Sequence, residues 1–90
     1  MNKHDVITKM AKNSGITARQ AEKALNSFLL VVEEALKKGE QVRFVGFGTF
    51  YVVKRKARKG RNPRTGEEIK IPAKKVIRFR PSKRLLDAVQ

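Results

Sequence analysis

Positively charged side chains are concentrated in one stretch of the chain, between Val52 and Val76. Lysine and arginine bind phosphate oxygens, and a dense run of them can neutralise successive phosphates of a polyanion. Only two acids, Glu67 and Glu68, lie in the same stretch. These residue types can bind anions. The basic residues of the stretch are Lys54, Arg55, Lys56, Arg58, Lys59, Arg61, Arg64, Lys70, Lys74 and Lys75.

The same stretch has the pattern of two β-strands joined by a turn. Successive strand residues point to opposite faces, and basic residues occupy both faces of the outgoing strand, so neither face suits a hydrophobic core. Residues 62–66, Asn-Pro-Arg-Thr-Gly, form the turn, because Asn-Pro opens turns and Gly66 tolerates a positive φ. Roughly ten residues per strand at about 3.3 Å each predict a hairpin about 30 Å long. A two-stranded ribbon is marginally stable alone, so the rest of the chain is predicted to carry it.

The net charge indicates the class of partner. A charge of +14 on 90 residues causes strong self-repulsion, which a polyanion would relieve. Nucleic acid is favoured over an anionic membrane, because the longest apolar run, residues 28–32, is too short to span a bilayer and the charge is densest in a ribbon. The first five residues lead into no secretory apolar segment, so a cytosolic protein is expected.

Catalysis has little support in the sequence. His4 is the only histidine, there is no cysteine, and the eight acids show no metal-ligand spacing. Gly46 and Gly48 lack the third glycine and the helix of a dinucleotide-binding loop, so they indicate a bend in a sheet. We therefore predict no enzyme activity, no metal, no cofactor and no small-molecule substrate.

Two helices are predicted before the strands begin. Asn2 can cap the first, which should end near Gly15, a residue that permits a left-handed C-cap. Thr17 and Gln20 match a capping box at the start of the second. Its apolar stripe is wider than one small neighbouring helix can cover, and Lys37, Lys38 and Gly39 supply the C-terminal signals.

From Gln41 the hydrophobic period changes to two, which predicts strands. The second strand continues into the basic stretch without a breaker, and residues 76–80 return with Ile77 and Phe79 inward and the arginines outward. Pro81-Ser82 begins a short last helix. The predicted fold is α+β: a helical dimerisation part (1–40), a three-stranded antiparallel sheet (41–53 and 75–81), a β-arm (54–74) and a C-terminal helix (82–90).

The apolar residues exceed what one short chain can cover. Ninety residues bury a modest share of their surface, and without cysteine no disulfide can compensate. We therefore predict an intertwined homodimer with both arms on the same side. Its core residues would be Phe28, Leu29, Val32, Phe44, Phe47, Phe50 and Phe79.

Nearly the whole chain resembles the bacterial HU histone-like proteins of the HU/IHF family. The most specific part is Gly46-Phe47, then Phe50 and Arg58, then the run Gly60-Arg61-Asn62-Pro63-Arg64-Thr65-Gly66. The resemblance implies an intertwined dimer with a helical body, a saddle of strands and two β-arms that wrap DNA in the minor groove. It also implies that Pro63 is inserted between base pairs, and it predicts a nucleoid-associated protein that bends and compacts double-stranded DNA.

Roles can be predicted for the individual basic residues. The arginines at 55, 58, 61 and 64 suit the narrow minor groove, while the arm lysines suit phosphates. Asn62 at the turn is also predicted to bind DNA. Lys3 and Lys83, with Arg84, could contact phosphates beyond the arms or simply face solvent. Pro63 could be an ordinary turn former, a wedge, or both. Ile69, Ile71 and Ala73 could pack against Ala57 and Val53, which we favour, or lie along sugar edges.

Several functions remain open at this level. We favour binding with little sequence preference, and tighter binding to bent, nicked or gapped DNA, because less deformation energy remains to be supplied. Site-specific bending of the IHF type, binding to RNA or the ribosome, and a charged surface that serves only solubility are the alternatives.

Overall fold

The computed structural model describes all residues, 1–90. The chain divides into two compact units, Met1–Ala35 and Leu36–Gln90. Three α-helices and five β-strands follow in the order α1 (Lys3–Ser14), α2 (Ala18–Lys37), β1 (Val42–Phe44), β2 (Gly48–Arg55), β3 (Arg58–Arg61), β4 (Glu68–Ile71), β5 (Lys74–Pro81) and α3 (Lys83–Ala88). The predicted α+β class and the predicted order of helices and strands are confirmed.

Local capping signals set the ends of the first two helices. Asn2 Oδ1 accepts from Asp5 N–H at 3.0 Å and the Asp5 carboxylate accepts from Asn2 N–H at 3.0 Å, which forms a complete capping box. Gly15 ends α1 in the left-handed conformation, with φ 64°. Thr17 and Gln20 exchange the reciprocal bonds of the predicted second capping box, at 3.1 and 3.0 Å. The predicted helix boundaries are thus correct.

The helices bury very little within one chain. Ile7 and Ala21 are the only buried hydrophobic residues. In α2, Phe28 and Leu29 are 41% and 48% exposed, although both lie in the wide apolar stripe. A helix with such a stripe requires apolar partners.

Strands β1, β2 and β5 form an antiparallel sheet in the order β1-β2-β5. The turn from β1 to β2 places Gly46 at φ 81°, and Phe47 N–H donates to Phe44 O at 3.0 Å. Cross-strand partners share a face, so Val42, Phe50 and Phe79 lie on one face. Arg43, Thr49 and Arg80 lie on the other, which confirms the predicted apolar and polar sides.

An aromatic cluster covers Gly48 on the apolar face. The Phe79 ring lies 4.7 Å from the Phe50 ring and 5.6 Å from the Phe47 ring, measured between centroids. A Cβ atom at Gly48 would lie 2.6 Å from Phe79 Cζ and 2.7 Å from Arg80 O. The close approach of ring and backbone therefore requires glycine at this position.

The last helix begins after Ser82, whose Oγ accepts from Leu85 N–H at 3.1 Å. Pro81 ends β5 opposite Gly48, inside the range 75–81 predicted for the sheet, and Ser82, the first residue of the predicted range 82–90, is the N-cap. Arg84 in α3 lies beside the β1–β2 turn: its Nη1 would be 3.4 Å from a Cβ at Gly46.

Candidate nucleic-acid interface

The arm is a hairpin whose pairing is interrupted once. Strand β2 pairs with β5 as far as Arg55 and Lys74, and β3 pairs with β4 from Arg58 and Ile71 onward. Two residues on each strand, 56–57 and 72–73, lie between the paired segments. Strand β2 continues into the basic stretch, as predicted, and ends at Arg55. The interruption lies farther along the arm, and Pro72, which has no N–H to donate, lies in the gap.

The distal arm has two chemically different faces. Arg58 pairs with Ile71 and Gly60 with Ile69 on one face, whereas Lys59 pairs with Lys70 on the other. Ile71 Cδ1 would lie 3.1 Å from a Cβ at Gly60, so this isoleucine packs over a glycine for which the sequence predicted no packing role. Both isoleucines remain exposed, and the arm carries an apolar strip beside its charges.

Like charges face one another across the arm and its base. The strand register makes three lysine or arginine residues of the outgoing strand the direct partners of three lysines of the return strand. Like charges placed opposite one another destabilise strand pairing, so a bound anion would stabilise these pairs. They are Lys54 with Lys75, Arg55 with Lys74, and Lys59 with Lys70.

The tip (residues 62–67) is closed by its own hydrogen bonds. Asn62 N–H donates to Glu67 O and Gly66 N–H donates to Asn62 O, both at 2.8 Å. Asn62 Oδ1 accepts from Arg64 N–H at 2.9 Å. Gly66 has φ 73°, as the turn prediction requires. Pro63 is exposed at this ordered tip.

The polar face of the sheet carries three arginines that were not among the predicted DNA-binding residues. Arg80 lies over the Tyr51 ring, with Cζ 5.1 Å from the centroid, and Arg78 pairs directly with Tyr51. Arg43 lies on the same face, two strands from Arg80. The alternation of apolar and basic residues along β5 predicted that Arg78 and Arg80 point outward. Only the strand register shows that Arg43 lies on the same face.

The remaining predicted contacts lie at helix starts. Lys3 is the first residue of α1 and Lys83 the first of α3, and both are exposed.

No helix in the structure is long and apolar enough to cross a bilayer, and no group of three or more His, Cys, Asp or Glu side chains could hold a metal ion.

Three helices, a small antiparallel sheet and a strongly basic hairpin define a class of proteins that bind a polyanion with a β-ribbon. The family model described as bacterial DNA-binding protein matches residues 1–90. The chain therefore belongs to this family, which includes the HU proteins, and DNA is its partner. The family is not enzymatic, in agreement with the prediction.

Relatives of known sequence and structure match over almost their full length. DNA-binding protein HU of Geobacillus stearothermophilus is 50% identical over 90 residues, which cover all of both chains. HU of Lactococcus lactis is 52% identical over 89 residues, 99% of this chain and 98% of that one. In the Anabaena HU–DNA cocrystal structure, the matched chain has a TM-score of 0.85 and 39% identity, over 99% of this chain and 97% of that one. HU from Thermotoga maritima has a TM-score of 0.72 and 31% identity over the full length of both.

Proposed function

We propose that the protein is a homodimeric, nucleoid-associated architectural protein that binds double-stranded DNA with little sequence preference and bends it. The arms follow the minor groove, and bending compacts the DNA. The observation that carries this proposal is the facing of like charges along the arm, because closely spaced phosphates would offset the repulsion that the strand register creates.

The shape and composition of the arm favour the minor groove. A narrow minor groove has a strong negative potential, which attracts arginine, and its base edges carry a degenerate pattern. The arm supplies four arginines, at positions 55, 58, 61 and 64, which such a groove would attract. Charge and groove shape are therefore recognised more than sequence, in contrast to site-specific bending of the IHF type.

Electrophoretic mobility on matched linear, nicked and pre-bent duplexes tests the proposal. We expect tighter binding to the nicked and pre-bent duplexes, because less deformation energy remains to be supplied. Neutralising roughly six to ten phosphates per dimer should lower affinity by about 10³–10⁵-fold between 50 and 200 mM salt. Equal binding to all three duplexes, or a salt slope near zero, would contradict the proposal. A-form RNA of equal length is the competitor that tests the RNA-binding alternative, since its minor groove is wide and shallow.

The proposal of a dimer is supported by the apolar side chains that remain exposed in a single chain. Phe47 is 47% exposed and Ile77, predicted to point inward, is 64% exposed. A second copy would cover the predicted core residues, which in addition to Phe47 are Phe28, Leu29, Val32, Phe44, Phe50 and Phe79.

We expect folding and dimerisation to be one transition. Because so little is buried in a single chain, dilution should cause dissociation and loss of helical signal together, and the melting temperature should rise with protomer concentration. Sedimentation velocity and circular dichroism over the same concentration series measure both quantities. A compact monomer that unfolds cooperatively at micromolar concentration would rule out the dimer.

Pro63 is the proposed wedge that opens a base step. Its ring is rigid, apolar and exposed at the tip of the arm, and such side chains unstack minor-groove steps at a cost of about a few kcal/mol. We expect Pro63→Ala to reduce DNA bending several-fold while binding at low salt changes little, because the arm charges remain. Ring closure of short DNA fragments measures bending, and unchanged closure by the variant would reject the wedge.

A further inference from the structure

Asn62 differs from its surroundings in the arm. From Arg61 to Lys75 it is the only residue that is not exposed. Three of its polar atoms are used within the tip: its N–H bonds Glu67 O, its C=O accepts from Gly66, and its Oδ1 accepts from Arg64 N–H. The first two bonds are made by the backbone, whereas the third depends on the asparagine side chain.

The bond to Arg64 spans Pro63. It joins the side chain before the proline to the backbone N–H after it, at 2.9 Å, which is an Asx-turn. Because the partner is an N–H donor, the carbonyl end of the Asn62 amide must face it. The Asn62 side chain therefore links the two covalent neighbours of Pro63 to each other across the turn.

We propose that Asn62 is a positioning residue that holds Pro63 in the orientation needed to enter a base step. The inference rests on the proposed wedge and revises the role predicted for Asn62, which was direct contact with DNA. The Asn62 Oδ1 already accepts the bond from Arg64 within the tip. Asn62 therefore affects DNA bending indirectly, through the orientation of Pro63. Pre-formed geometry lowers the ordering cost when the wedge is inserted.

The first test uses the DNA-free protein. Asn62→Ala removes the acceptor, and exchange of the Arg64 amide proton should become faster by about three- to tenfold, as expected for loss of one exposed hydrogen bond. Asn62→Asp retains the acceptor, so its exchange should be no faster than in the unchanged protein. Unchanged exchange in Asn62→Ala would overturn the positioning role, since direct contact with DNA predicts no effect without DNA.

The second test measures the DNA bend in saturated complexes by energy transfer between the duplex ends. Asn62→Ala should lose most of the bend that Pro63→Ala loses, whereas Asn62→Asp should keep it. If Asn62 donated to DNA through Nδ2, Asn62→Asp would be the worse variant, because it lacks that donor and adds a negative charge. The matched control is Thr65→Ala, which removes a longer bond, 3.4 Å from Glu67 N to Thr65 Oγ1, and should keep most of the bend.

A double variant separates this inference from the proposed function. Residues that act through one another are not additive, so Asn62→Ala combined with Pro63→Ala should bend DNA no less than Pro63→Ala alone. Additive losses would show an independent contact with DNA and overturn the positioning role. If Pro63→Ala alone left bending unchanged, the wedge itself would fail, and the positioning role with it. If only Asn62→Ala were without effect, the wedge would stand without this support.

Discussion

Excising the arm is expected to weaken duplex binding by at least about 100-fold at physiological salt, because most phosphate contacts would be lost. The structure provides a clean site for the excision: Arg55 and Lys74 are the last cross-strand partners before the gap. Replacing residues 56–73 with Asn-Gly would close a two-residue hairpin between them. The change removes six basic and two acidic side chains per chain. Fluorescence anisotropy over a salt series would show the lower affinity and a smaller salt slope.

A variant that keeps the whole arm but lacks two of its charges separates the effect of arm length from the effect of arm charge. Lys59→Gln with Lys70→Gln removes one facing pair of like charges while keeping the hairpin. It should reduce the salt slope by about 0.9 per lost phosphate contact and retain bending, whereas the excised protein should lose both. Sedimentation must show that the excised protein still dimerises. Undiminished affinity and curvature after excision would refute DNA binding by the arm.

Gly48→Ala is expected to destabilise the protein by at least about 3 kcal/mol, at the upper end for overpacking. The added methyl group would lie 2.6 Å from Phe79 Cζ and 2.7 Å from Arg80 O. The second contact is to backbone, so it can be relieved only by moving β5 away from β2. At about 4–8 °C per kcal/mol for a domain of this size, the melting temperature should fall by more than about 12 °C. Calorimetry at fixed protomer concentration measures the change.

Gly60→Ala is the matched control, because both glycines lie in antiparallel strands and neither has a positive φ. The nearest atom to a Cβ at Gly60 would be Ile71 Cδ1, at 3.1 Å, whereas the nearest backbone atom, Ile69 O, would lie at 3.9 Å, an ordinary contact distance. A small rotation of the Ile71 side chain would relieve the closer contact. The reduced freedom of the unfolded chain favours alanine by about 0.4–1 kcal/mol, so little net change is expected. Similar losses at both positions would mean that the backbone contact at Gly48 is not the cause.

The sequence by itself determined the local features of this protein. Both capping boxes, the glycine that ends α1 and the turn at residues 62–66 were predicted, because each depends on residues within a few positions of one another. Alternation also identified the apolar and basic sides of the strands, since the direction of a side chain is set by its place in its own strand. Composition and net charge were sufficient to indicate a polyanion as the partner, because neither depends on how the chain folds.

The tertiary structure decided what depends on partners distant in the sequence. That Gly48 lies beneath Phe79, that Arg43 shares a face with Arg80, and that lysines face one another across the arm all follow from strand register. The interruption at residues 56–57 and 72–73 likewise needed the pairing of both strands to be known. A single strand carries the period of its side chains but not the identity of its neighbours, because register is fixed only when two strands pair.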